Sequence, residues 1–304
     1  MRWDDFRRSD NIDDYRDSSG GGGGGFSMGG GGGLGIGAIV VLSLVGWAFG
    51  IDPSILIGGA EMVNGGRTQY QQPQRPSGQT GAPKDEMGNF VAAVVGNTED
   101  VWTQVFSENG QTYRAPRLAL YRGSLPAGRC GMAQAAMGPF YCPNDQRIYL
   151  DTSFFNDMRV RFKGCSGKSC EFAEAYVVAH EVGHHVQKLL GILDKEHSAQ
   201  QAAGSKAGAN RIQVRVELQA DCFGGIWANR SNQKWKTIEP GDVEAALQTA
   251  SAIGDDRLQK QAQGYVVPDS FTHGSSAQRQ RWFTAGLKSG KVSACNTFAA
   301  NAQL

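Results

Sequence analysis

The sequence has no cysteine before residue 130, no CxxC pair and no cluster of basic residues, and its charges nearly cancel, with 30 Lys and Arg against 29 Asp and Glu. Without a basic patch there is no electrostatic footprint for nucleic acid, so no nucleic-acid partner is expected. Without a CxxC pair, a cysteine-built zinc ribbon is disfavoured. The six cysteines, Cys130, Cys142, Cys165, Cys170, Cys222 and Cys295, read instead as disulfide candidates. Cys130 with Cys142 and Cys165 with Cys170 suit local bridges, which leaves Cys222 for Cys295, although six cysteines allow fifteen pairings.

Long apolar runs are scarce as well. The run from Leu34 to Ile51, LGIGAIVVLSLVGWAFGI, carries no charge and has Ser43 as its only clearly polar side chain. Such a stretch just spans a hydrocarbon core as a helix, and with its flank the expected transmembrane helix covers 34–57. A signal peptide or a buried core helix is the alternative, the first kept open by the small residues Gly58 and Ala60. The long preceding region is not net basic, however, unlike a signal-peptide n-region. In residues 1–33, Arg2, Arg7, Arg8 and Arg16 face six aspartates, and a Ser/Gly tract follows. That composition predicts a disordered tail. Residues 58–84, rich in Gln, Pro, Gly and Arg, read as a linker. Arg16 and Arg67 lie at similar distances from the apolar run, so charge asymmetry hardly orients it. Paired cysteines would place the large C-terminal part in an oxidising space. The expectation is therefore a single-pass protein of a bacterial inner membrane, with its N-terminus cytoplasmic and its folded domain periplasmic or outside.

The folded domain is expected at 85–304. Phe90, Val91, Val94, Val95, Val101, Trp102, Val105 and Phe106 recur at helical spacing before a stop at Gly110. Arg117 to Tyr121 and Arg147 to Leu150 read as short strands between turn signals. Helices dominate after residue 170, so the expected class is α+β, mostly helical with a small mixed sheet.

The segment AEAYVVAHEVGHHVQKLL, residues 173–190, together with Phe172 just before it, places Phe172, Ala175, Tyr176, Ala179, Val182, Val186 and Leu189 along one helical stripe. Residues four apart stand one turn above the other, so His180 and His184 bring two imidazoles to one point. Zn²⁺ accepts nitrogen and oxygen ligands in tetrahedral geometry and suits such a pair. Glu181, one residue after the first ligand, can reach a metal-bound water without itself binding the metal. A catalytic zinc needs a third protein ligand and an open position. The metzincin extension fails, because Gln187 and Leu190 stand where glycine and histidine are required. Glu217 in VELQADCFGGIWA, on a second amphipathic helix, is the candidate, and Asp221 one turn later can hold a ligand imidazole through a hydrogen bond. His185 points away from the metal side and reads either as structural or as an outer support of the site. His197 reads as a solvated loop residue. His273, ahead of a helix start in SFTHGSSAQRQRWF, reads either as a donor to an oxyanion or as a plain loop histidine.

Together CGMAQAAMGPFYCPNDQRIYLD, AHEVGHHVQ, VELQADCFGGIWA and FTHGSSAQR resemble the bacterial neutral zinc metallopeptidase family. The order HExxH, ExxxD and late THxxS is also distantly similar to CAAX-type and heat-shock membrane endopeptidases. The resemblance implies a zincin-like fold, one zinc ion, a peptide or protein substrate and a sheet edge near Arg147–Leu150 over the cleft. The expected activity is endopeptidase cleavage with Glu181 as general base. The competing expectation is a membrane-anchored, non-enzymatic zinc protein that binds a partner in its cleft.

Overall fold

A computed structural model of the chain describes residues 1–17 and 78–304. The expected span at 34–57, the Ser/Gly tract and most of the expected linker lie outside the described residues. Among the described residues no helix is long and apolar enough to cross a membrane.

Helix α1 (Glu86–Glu108) starts at Asp85, whose side chain accepts a hydrogen bond from the Gly88 N–H at 3.1 Å, satisfying one of the donors a helix start leaves open. All eight of its stripe residues named above are buried. It ends where Gly110 takes φ 68°.

The main sheet contains β1 (Ile12–Asp14), β2 (Gln79–Thr80), β3 (Arg117–Tyr121), β6 (Phe140–Cys142) and β7 (Arg147–Asp151), in the order β2-β1-β3-β7-β6. Strands β1, β3 and β7 run parallel, while β2 and β6 are antiparallel edges. A separate ribbon pairs β4 (Ser124–Pro126) with β5 (Met132–Gln134). Leu118, Leu120, Ile148 and Leu150 belong to the main core shared with the helices, while Ala119, Tyr121 and Tyr149, at alternate positions, form a second cluster, as the two-residue period of a strand requires.

Two expectations are corrected here. Residues 1–17 are not part of a disordered tail: Phe6 and Ile12 are buried in the main core, and β1 is an interior strand. The polar side chains of this stretch find partners far along the chain. Ser9 and Asn11 donate to Glu99 at 2.6 and 2.8 Å, Arg7 pairs with Glu99 at 2.6 Å, and Arg147 pairs with Asp13 at 2.9 Å. A stretch with few apolar residues looks solvated until α1 and β7 supply those counter-charges. The linker likewise ends early, because Gln79 and Thr80 pair with Asp14 and Asp13. The second correction concerns Arg147–Leu150, expected at a sheet edge. It lies between β3 and β6, and β6 is the edge.

The helical part comprises α2 (Ser153–Val160), α3 (Cys170–Leu189), α4 (Ile192–Gln201), α5 (Lys206–Trp235), α6 (Asp242–Ala252), α7 (Asp255–Gln263) and α8 (Ser276–Ser289). Helices α3 and α5 cross closely at Gly183, where a Cβ would lie 3.0 Å from the carbonyl oxygen of Ala220. Glycine there lets the two backbones carrying the candidate ligands approach each other. His197, expected in a loop, sits on α4, because the chain turns at Gly191 with φ 71° and resumes a helix. Disulfides join Cys130 to Cys142, Cys165 to Cys170 and Cys222 to Cys295.

Candidate metal centre

His180 and His184 project from one side of α3, with ring centroids 4.8 Å apart. Oε2 of Glu217, on α5, lies 3.2 Å from Nε2 of His180 and 3.5 Å from Nε2 of His184. The ligand atoms of the three residues all lie within 4.8 Å of one another. A tetrahedral ion bound at about 2.0–2.1 Å separates its ligand atoms by roughly 3.3–3.4 Å. The two nitrogen–oxygen distances bracket that value, and two imidazoles with one carboxylate are a donor set zinc accepts, so the residues fit a zinc ion.

Each ligand is oriented by a further side chain. Nδ1 of His180 lies 2.9 Å from Oδ1 of Asp221, as expected of that residue, which leaves Nε2 for the metal. Nδ1 of His184 lies 2.9 Å from Oε1 of Gln187, whose amide nitrogen donates to the Val216 carbonyl at 2.8 Å and to Gln219 at 2.9 Å. Gln213 donates to Oε1 of Glu217 at 2.8 Å, which turns Oε2 to the histidines. Neither Gln187 nor Gln213 was singled out from the sequence. The signal was present: Gln187 lies three residues after His184, and Gln213 four before Glu217, each on the face of the ligand it serves.

Glu181 is buried beside the two histidines, and no described residue donates a hydrogen bond to its carboxylate. Burial pushes its pKa above the ordinary 4.5, with the imidazoles pulling the other way and Glu217 adding to the rise. His273 lies in a turn held by Asp255, whose Oδ2 accepts the N–H groups of Thr272, His273 and Gly274 at 2.7, 2.6 and 3.0 Å. This turn packs on α5 beside Glu217, since a Cβ on Gly274 would lie 3.1 Å from Leu218 and 3.3 Å from Val214. The His273 side chain remains 42% exposed, with Nδ1 3.3 Å from Asp255. His185, of the two roles expected for it, takes the structural one: Nδ1 meets the Tyr141 hydroxyl at 2.9 Å and Nε2 the Arg114 carbonyl at 2.6 Å. These contacts tie α3 to the edge strand β6 and to the segment ahead of β3.

The family model described as "Putative neutral zinc metallopeptidase" matches residues 1–298. The chain belongs to that family. The match begins at residue 1, in keeping with the place of β1 inside the sheet. Among the family's relatives, Uncharacterized protein YpfJ of Escherichia coli strain K12 is 47% identical over 300 residues, covering 98% of this chain and 99% of that protein. Uncharacterized protein Rv2575 of Mycobacterium tuberculosis is 43% identical over 231 residues, covering 73% of this chain and 74% of its own length. No solved structure matches.

Proposed function

We propose that this family member is a zinc-dependent endopeptidase of zincin-like fold, in which His180, His184 and Glu217 hold one zinc ion and Glu181 is the general base. The observation that carries this reading is the Glu181 carboxylate, buried next to the histidines yet accepting no hydrogen bond from the described residues. Its two oxygens are not among the sealed polar atoms that lack a partner, so a carboxylate engaged by no hydrogen bond beside a three-ligand site is open to a reacting water. When bound, zinc lowers the pKa of a water at its open position and polarises a carbonyl.

Glu181 accepts the proton of the attacking water and passes it to the leaving amine. His273 supports the developing oxyanion: Asp255 beside Nδ1 favours the charged ring, which leaves Nε2–H as a donor. An extended peptide can add as a strand to the free edge of β6, which Tyr141 and His185 fasten to α3. Identifying new protein termini in cells making the intact chain or Glu181→Gln tests the reading. Cleavages that depend on Glu181 support it, whereas a zinc-loaded protein giving identical termini in both strains would sink the peptidase reading in favour of a non-enzymatic zinc protein.

A further inference from the structure

Beyond the ligands, one buried ion pair joins all three helices at the site. Arg279 of α8 grips Asp221 with two bonds, Nε to Oδ2 at 2.8 Å and Nη2 to Oδ1 at 2.8 Å. The Tyr176 hydroxyl donates to the same Oδ1 at 2.6 Å, and the oxygen also meets Nδ1 of His180. The Arg279 side chain is 4% exposed and that of Asp221 0%. Burial alone would raise the Asp221 pKa, but the guanidinium charge and its fork hold it well below the usual carboxylate range. A lone carboxylate can rotate about its terminal bond. One held at both oxygens by a planar fork cannot turn away from His180.

We infer that Arg279, with Tyr176, is a positioning residue for the metal: by fixing the plane of Asp221 it fixes the His180 ring whose Nε2 is to bind zinc. This rests on the zinc reading above. The test is competition titration of zinc into the full-length, metal-stripped chain, with the visible spectrum of the Co²⁺ form as a second readout and circular dichroism as the folding control. Arg279→Lys keeps the charge but loses the fork, and is expected to fold while binding zinc about 10-fold more weakly or worse, the lower end of what orienting partners supply. Unchanged affinity and an unchanged Co²⁺ spectrum would overturn the inference. Should Arg279→Lys not fold, Asp221→Asn with Arg279→Met removes both buried charges together and is compared with Asp221→Asn alone. Equal zinc affinity in those two proteins is expected if Arg279 acts through Asp221, and a further large loss would show that it does not. Failure of the unaltered chain to bind zinc would instead reject the zinc reading itself.

The packing of residues 1–17 independently supports a statement about membrane topology. Asp14 pairs in register with Gln79, a Cβ on Gly78 would touch the Tyr15 ring, and Arg16 reaches both Asp14 and Asp85. The chain therefore leaves the sheet after residue 17 and rejoins it at 78 beside its point of departure. Removing residues 1–17 would open the edge of β3 and strip Glu99 of Arg7, Ser9 and Asn11. We infer that residues 1–17 and 78–304 lie on the same side of any membrane this chain meets. A single crossing at 34–57 would separate them by a hydrocarbon core of about 30 Å and is incompatible with this sheet. Single cysteines introduced as Asp10→Cys and Ser107→Cys, both exposed positions, test this in cells making the full chain. A membrane-impermeant maleimide applied before and after lysis is expected to label the two with the same sidedness. Labelling of one only before lysis, with the other protected, would overturn the inference.

Discussion

His180 and Asp221 meet at 2.9 Å, Nδ1 to Oδ1, across the crossing of α3 and α5. The contact settles which nitrogen of the ring faces Glu217, because a histidine bonded at Nδ1 presents Nε2. The ring is thus oriented by the protein before any ion arrives.

Replacing Glu181 with glutamine should leave zinc content unchanged and slow peptide cleavage by about a hundredfold to ten-thousandfold, the usual contribution of a general base. Zinc stoichiometry and peptide turnover measured on one preparation check this. Full turnover in the variant would remove Glu181 from the chemistry.

Glu217→Ala deletes the only carboxylate in the His180, His184 and Glu217 cluster. Zinc retained after dialysis is expected to fall well below that of the unaltered protein, as metal analysis would show. Full occupancy would mean that a different residue is the third ligand.

Ile12 is fully buried in the main core. Ile12→Ala should therefore cost about 2–4 kcal/mol, as truncations of buried aliphatic residues do, read as a lower midpoint of thermal or denaturant unfolding. A stability unchanged by this substitution would show that the first 17 residues do not share the core.

Asp85 joins the start of α1 to Arg16. The Arg16 hydrogen bond, helped by the Gly88 N–H and opposed by partial burial, draws its pKa from 3.8 down to about 2. Because folding lowers this pKa, the unfolded chain takes up the proton first as pH falls. The stabilisation is fully present above about pH 4 and disappears as pH drops through 2. The stability difference between the unaltered protein and Asp85→Asn should accordingly shrink across that window in acid-unfolding measurements. A difference independent of pH would count against the Arg16–Asp85 pair.

The sequence by itself determined the parts whose signal is local. Helical period placed α1, α3 and the face of α5. The spacing of His180, Glu181 and His184 named one half of the site, and the spacing of Glu217 and Asp221 named the other. Gln187 and Gln213 were legible by the same rule of helical neighbours, each one turn from a ligand. Only the tertiary structure decided what depends on residues distant in the chain. Strand β1 is three residues long, and its hydrophobic signal is little more than Ile12, so nothing local distinguishes it from a solvated tail until β3 and Glu99 stand opposite. Arg279 follows Asp221 by 58 residues, and its guanidinium gains a purpose only when α8 folds back over α5. Periodicity reports which face of an element is buried. It carries no information on which distant partner buries it, since that is set by packing among elements.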